Sequence, residues 1–444
     1  MLLVHCGTTS PAYLCFPMDA AEPSFRHKAI ELLRRGPFKR YIIGSAISDT
    51  GTWMQVMAQG WVLSTLTDRA LVLGMVNMAA GLPTLALTMI GGSAADRYDK
   101  RMILIIAQVV QICLALSLGF LVFFGYVQIW HIMVLAALLG VVIAFEMPAL
   151  SALVPEIVRK DQIASAIALD RSVFHGSRLL GPSVAGLLVG WWGAASAFFV
   201  NAFTFLALIV SMLTIPKREL GTAEEEEQRR SGLMEGFRYV RKDRTILSLV
   251  ALIAMTTVFV YPVVSVMLPL YVRNILGLGP EQMGVLMAVS GSGSLVGSLG
   301  LLSVAPGKRI RFIMGAVVLV ACALFVMSRT SNFIVAAASM GILAIGLATN
   351  FGLANTIVQE RAPAHLRGRI SAVFGLSFFG LMPIAGLVIT SLSDAIGMRP
   401  AMAIGALLYA GGALFALSRC DHTTPVFDET TEQPQPEPQP ASVA

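Results

Sequence analysis

Asp49, Glu146 and Arg178 each stand inside a long, otherwise apolar stretch of this 444-residue chain. A charge at the centre of a bilayer costs about 2.5 to 3.5 kcal/mol if it faces lipid, so the three together would cost about 8 to 10 kcal/mol. They are therefore expected to face a protein interior. The chemistry open to such groups is proton binding and release. Desolvation favours the neutral form of an acid and a nearby Arg favours the charged form, so an acid that loses and regains an Arg partner can load a proton in one setting and shed it in another. Glu146 and Arg178 are expected to form a buried pair, with Asp49 or Glu146 as the proton carrier. A permanent ion pair that only fixes helix register is the alternative for Glu146 and Arg178, and a gate or capping role is the alternative for Asp49. Arg171, His175 and Arg178 recur at i, i+4 and i+7, one helical stripe. Ser45, Asp49, Thr52, Gln55 and Gln59 form a second. Both stripes are expected to line one cavity, with His175 either a satisfied bundle residue or a proton relay.

Elements long enough to hold these residues at bilayer depth are plentiful. The composition is 56% hydrophobic and 13% charged, with a mean hydropathy of +0.75, which points to a membrane protein. Apolar segments long enough to cross about 30 Å of hydrocarbon occur at 40–65, 71–91, 102–125, 129–152, 163–190, 194–215, 246–272, 281–303, 310–328, 332–357, 368–392 and 398–418. Their length excludes barrel strands, and backbone hydrogen bonding in lipid leaves helices. The predicted fold is an all-α membrane protein of twelve spans.

Basic residues orient the spans, because Lys and Arg in short loops are retained in the cytoplasm. One set of loops and both termini collect nearly all of them, while the opposite loops hold only Arg69, Arg273, Arg329 and Arg399. Both termini are thus expected to be cytoplasmic, and the net charge of +6 calls for no nucleic-acid partner. Residues 1–39 read as a cytoplasmic segment without a secretory signal, starting at Met1 or Met18. Their Arg26, Lys28, Arg34 and Arg35 suit a surface helix on anionic headgroups. Residues 40–215 and 246–418 each supply six spans. Between them, 216–245 reads as a solvated linker with Glu224 to Glu227 beside basic residues. Residues 419–444, ending in alternating Gln and Pro, read as a disordered tail. An internal echo relates the halves: Pro155-Glu156 precedes span five and Gln359-Glu360 precedes span eleven, each followed by basic residues and a Ser-Ala pair.

Two further runs carry a family resemblance. Gly91-Gly92-Ser93-Ala94-Ala95-Asp96-Arg97-Tyr98-Asp99-Lys100-Arg101, in the short loop after span two, resembles the loop signature of the major facilitator superfamily through Gly92, Asp96, Arg97, Lys100 and Arg101. Asp99 departs from the Gly usual there. The resemblance implies two pseudo-symmetric six-helix bundles. It also implies that Asp96 meets the start of span eleven, near Arg367-Gly368-Arg369, when the cytoplasmic side is shut. Ser177-Arg178-Leu179-Leu180-Gly181-Pro182-Ser183-Val184-Ala185-Gly186 resembles the antiporter motif, with Ser177 in place of the customary first Gly. Its small residues let helices pack closely, and Pro182 bends the helix. Asp49 to Gln55, Phe145 to Ala149 and Arg178 to Pro182 resemble the branch that includes the enterobactin exporter and macrolide-efflux proteins, although Leu150-Ser151 departs from it.

The resemblance implies a proton-coupled antiporter in the bacterial inner membrane, exporting a small amphipathic molecule, drug or siderophore, by alternating access. It is expected to act as a monomer without any cofactor beyond the proton gradient. A proton-coupled metabolite importer and a non-transporting scaffold or sensor are the alternatives. Enzymatic chemistry finds no support. The chain has no phosphate-binding Gly-rich loop ending in Lys-Ser/Thr, no paired spacing of Cys6, Cys15, Cys113, Cys322 and Cys420, and no metal-binding His motif. Gly291-Ser292-Gly293-Ser294 lies mid-span, where small-residue packing accounts for it.

Overall fold

The structure is a computed structural model that describes residues 31–34, 36–215, 233–363 and 365–420. The basic N-terminal cluster up to Lys28, Glu224 to Glu227, Cys6, Cys15 and the tail beyond Cys420 lie outside the described residues.

Twelve helical spans run back and forth. They are α1 (Pro37–Leu66), α2 (Ala70–Arg97), α3 (Lys100–Phe123), α4 (Ile129–Glu156), α5 (Ile163–Trp192) and α6 (Ala194–Thr214), followed by α7 to α12. In the second half α7 is broken into Arg244–Phe259, Tyr261–Ser265, Leu268–Leu270 and Tyr271–Ile275, while α8 covers Pro280–Gly300, α9 Arg309–Arg329 and α10 Phe333–Arg361. The eleventh span, α11, comprises Arg367–Gly375, a widened turn at Leu376–Gly380 and Met382–Ile396; α12 is Met398–Leu417. Pro262 and Pro269 fall at the breaks in α7 and Pro383 just after the widened turn of α11, because proline removes a backbone donor and clashes with the preceding turn.

Nine of the described helices are long and apolar enough to cross a membrane on composition alone. The spans that fall short are α1, α5 and the broken α7. For α1 and α5 the shortfall comes from their polar residues, including Asp49 on one and Asp170, Arg171 and Arg178 on the other.

The internal echo appears as a repeated ion pair. Glu156 at the end of α4 meets Lys100 at the start of α3 at 2.9 Å, and Glu360 at the end of α10 pairs with Arg309 at the start of α9. Both pairs lie at the end of the molecule that carries the basic loops, called here the basic end. The segment between α6 and α7 is not wholly an extended linker: Leu233–Lys242 forms a short helix. Its Gly236 packs on Arg369 and its Glu235 pairs with the Arg369 side chain, while Met234 and Phe237 stay exposed beside Arg238 and Arg241.

Contacts between the halves concentrate at the opposite, far end. Asp394 of α11 accepts the backbone N–H groups of Ala70 and Leu71, capping α2, at 2.7 and 3.1 Å. Arg273 donates to Asp68 and to the Ser64 carbonyl. Deeper in, Gly74 lies against Gly386 and Thr390, and Gly81 against Pro383, joining α2 to α11. At the basic end the ion pairs among the described residues stay within one half: Lys100–Glu156, Arg159–Glu31, Arg309–Glu360, Arg361–Asp243 and Arg369–Glu235. The two halves are thus clasped at the far end.

Candidate proton and substrate site

Four helices of the first half bring an acidic, hydrogen-bonded network together toward the basic end. Asp49 of α1 accepts a hydrogen bond from Ser45, one turn earlier, at 3.1 Å. Tyr41, two turns before Asp49 on the same helix, is 2% exposed and donates to the Asp170 carboxylate of α5 at 2.7 Å. Glu146 of α4 accepts amide N–H groups from Gln108 and Gln111 of α3, one on each carboxylate oxygen and both at 2.6 Å. Ser48 of α1 donates to Gln108 at 3.3 Å, which ties α1 into the same network. Asp49 shares this neighbourhood with both Asp170 and Glu146.

Glu146 and Arg178 do not form the expected pair. Helical spacing placed both on interior faces, but Glu146 turns toward α3, whose two glutamines saturate it. Arg178 instead lies with its guanidinium 5.3 Å from the Trp53 ring centre on α1, a cation–π distance. Gln55 departs from the cavity role as well. It is buried and accepts from Asn201 of α6 at 2.7 Å, so it fastens α1 to α6. Arg171 and His175 are exposed on α5, as is Thr52 on α1. Beside them Trp53 makes an edge contact with Phe174. Exposed charges within a span are costly in lipid, so a watery setting suits this face of α1 and α5 better than hydrocarbon.

The saturation of Glu146 gives it a holding role. Glu146→Ala leaves two amide donors without acceptors, at about 1 to 3 kcal/mol each, so the purified variant is expected to melt at a lower temperature than the parent in a thermal-shift assay. An unchanged melting temperature would show that the α3–α4 network contributes nothing.

The run Gly91 to Arg101, expected as a loop, is mostly helical: it ends α2 at Arg97 and begins α3 at Lys100 with only Tyr98 and Asp99 between, and its residues divide into two roles. Asp99 caps α3, accepting from the Arg101 backbone at 3.0 Å, so the residue standing where the resemblance leads one to expect Gly is a helix cap. Lys100 pairs with Glu156, and Arg101 donates to the Met212 carbonyl at the end of α6. Asp96 and Arg97 are exposed, and among the described residues Asp96 has no partner; Arg369, the expected neighbourhood, is taken by Glu235. The contact that the resemblance implies between Asp96 and the start of span eleven is not made. Gly92 has open space about it, whereas an added Cβ on Gly91 would sit 2.0 Å from the Ala144 carbonyl oxygen of α4. Close approach therefore depends on Gly91, and two adjacent glycines give no sequence signal of which one faces the neighbour.

Ser177, Gly181, Pro182 and Gly186 lie along α5 where it passes first α1 and then α8. Ser177 accepts from Thr50 and donates to the Ala46 carbonyl. An added Cβ at Gly181 would lie 2.6 Å from the Thr50 carbonyl oxygen, and one at Gly186 would lie 3.1 Å from the Pro280 carbonyl oxygen of α8. The motif is a packing seam joining the two halves at the far end.

Sequence reasoning passed over Asp170, although it adjoins Arg171, and over Gln108 and Gln111, an i, i+3 polar pair in an apolar span. It also passed over an aromatic cluster in the second half, where Phe378 of α11 stacks edge-on against Tyr261 of α7 at 5.0 Å and Phe351 of α10 at 5.5 Å. The Phe378-Phe379 run beside a helix-widening turn was the available signal.

Two six-helix halves of long helices, clasped at one end, define a multi-pass membrane protein. The chain belongs to the transmembrane secretion effector family of the major facilitator superfamily, whose family model matches residues 29–443. It is 25% identical over 379 residues to the multidrug efflux pump Tap of Mycolicibacterium fortuitum, covering 82% of this chain and 91% of that one. It is also 25% identical over 363 residues to macrolide efflux protein A of Streptococcus pyogenes, covering 80% and 89%. Among solved structures, the nucleoside transporter NupG superposes with a TM-score of 0.69 at 11% identity, covering 87% of this chain and 99% of that one. The xylose transporter XylE of E. coli, inward open, gives 0.66 at 12%, covering 88% and 97%. These likenesses place the chain in the efflux branch of the superfamily as a multi-pass membrane transporter of a small molecule.

Proposed function

We propose that this protein is a proton-coupled antiporter of the bacterial inner membrane, exporting an amphipathic drug-like molecule. Its basic end, with both termini, faces the cytoplasm, and the described conformation is open to the cytoplasm and closed outside. The observation that carries the coupling is the placement of Asp49. It accepts a single hydroxyl hydrogen bond, from Ser45, and shares its surroundings with a second carboxylate, Asp170. Glu146, with both oxygens engaged by amides, holds α3 to α4, and Asp49 carries the proton. Substrate recognition divides between the halves: Trp53 and Arg178 on one side and the Tyr261, Phe351 and Phe378 rings on the other offer flat apolar faces with charge nearby. The curated relatives' efflux names support a lipophilic drug over a siderophore.

The test is efflux of a fluorescent lipophilic drug from an efflux-deficient bacterial host, with and without a protonophore. Export that stops when the gradient is collapsed, with ATP held constant, supports the reading. Export insensitive to the protonophore, or accumulation in place of export, overturns it.

A further inference from the structure

The second half contains a cleft that the crevice between the halves does not use. Helix α10 packs against both α8 and α9, and between α8 and α9, which are joined at the basic end by residues 301–308, lies a groove of about 550 Å³ floored by α10. Glycines keep it open: Gly300 on α8 and Gly315 on α9 line it, and an added Cβ at either would meet nothing within 4 Å. Phe312 and Leu319 form the α9 wall and are 50% and 41% exposed. Exposed apolar side chains recur along α9 from Phe312 through Val318 and Phe325 to Val326, which is the surface of a helix facing hydrocarbon rather than the polar crevice.

A cation stands at the mouth of this groove. Of the basic residues at the start of α9, Arg309 is satisfied by Glu360. Arg311 lines the groove, and neither it nor Lys308 has an ion-pair partner among the described residues. An apolar trough parallel to the bilayer normal, with a free guanidinium at headgroup depth, complements one kind of occupant. We propose that the groove between α8, α9 and α10 is a binding site for an anionic phospholipid of the leaflet at the basic end, its phosphate on Arg311 and one acyl chain along Gly300 and Gly315. Guanidinium binds phosphate through paired N–H donors, and the chain gains burial in place of a poorly filled gap. The site touches the moving parts, because α8 carries both the groove, through Gly297 and Gly300, and the seam to the other half, through Gly284.

Native mass spectrometry of the full-length protein, delipidated in detergent and incubated with equal amounts of phosphatidylglycerol and phosphatidylcholine, tests the site. The expected result is retention of one phosphatidylglycerol with about fivefold preference, the ratio that roughly 1 kcal/mol per basic residue gives. Arg311→Gln brings the preference to parity, and Gly315→Leu removes retention of both lipids. Both side chains have room to change, so each variant is checked for an unaltered melting temperature before measurement. Equal retention of the two lipids by the parent, filling of the groove by detergent or transported drug in place of lipid, or variants that retain phosphatidylglycerol as the parent does, overturns the proposal.

Discussion

Asp49→Asn is expected to abolish uphill export while leaving the protein folded and able to bind its substrate. The amide keeps an acceptor oxygen for Ser45 and nearly the carboxyl's shape, so packing on α1 is preserved, but it can neither take up nor release a proton. One proton entering down 100 mV supplies about 2.3 kcal/mol, enough for roughly a fifty-fold gradient of a neutral substrate. A carrier without that proton only equilibrates, so substrate accumulation inside inverted vesicles should fall from some tens-fold to about one, with substrate exchange continuing. Asp49→Glu should restore part of the gradient. Asp170→Asn discriminates the neighbouring acid: it replaces the carboxyl that accepts from the Tyr41 hydroxyl and is expected to weaken export without erasing it. A protonophore-sensitive gradient sustained by Asp49→Asn would remove Asp49 from the coupling role, and its loss only in Asp170→Asn would move that role to α5.

What the sequence disclosed about this site follows from what helix periodicity contains. A 3.6-residue repeat reports which residues share a face, and the cost of charge in lipid reports that the face turns inward, so Asp49, Glu146 and Arg178 were legible as interior groups. Periodicity does not report which helix lies opposite. Glu146 met the glutamines of α3 and Arg178 met Trp53, because the rotation of each helix is set by small-residue contacts such as Gly91 on Ala144 and Gly181 on Thr50. Gln55 shows the same limit: its place on a polar stripe was legible, but its partner Asn201, which turns it away from the expected cavity, was not. The repeat was legible for a different reason. The Glu156–Lys100 and Glu360–Arg309 pairs hold equivalent helix ends, and an acid ending one span with a base opening another leaves a linear trace in both halves. Asp170 was missable because an adjacent arginine made the pair resemble ordinary span-edge charge.

Gly284→Val is expected to shift the protein away from the far-end-closed conformation and to suppress transport about fivefold or more. An added Cβ at Gly284 would lie 2.6 Å from the Pro182 carbonyl oxygen and 3.0 Å from the Gly186 Cα. Both atoms are backbone atoms of α5 in the other half, so no flexible side chain can yield. Overpacking of this kind costs about 1 to 3 kcal/mol, and under alternating access the whole penalty falls on the state in which α5 and α8 touch here. A bias of that size changes the ratio of the two states by roughly 5 to 150-fold. Spin labels at Tyr126 and Ile334, exposed at the far end of the two halves, should therefore report longer separations in the variant. Gly140→Val provides the contrast, since its Cβ would sit 2.0 Å from the Ala80 carbonyl oxygen within one half. That clash exists in both states, so it should lower the melting temperature and leave the label distances in place. If Gly284→Val instead lowers stability with unchanged distances, the α5–α8 seam is static packing, and the antiporter-like run Ser177 to Gly186 has no part in the rocking of the halves.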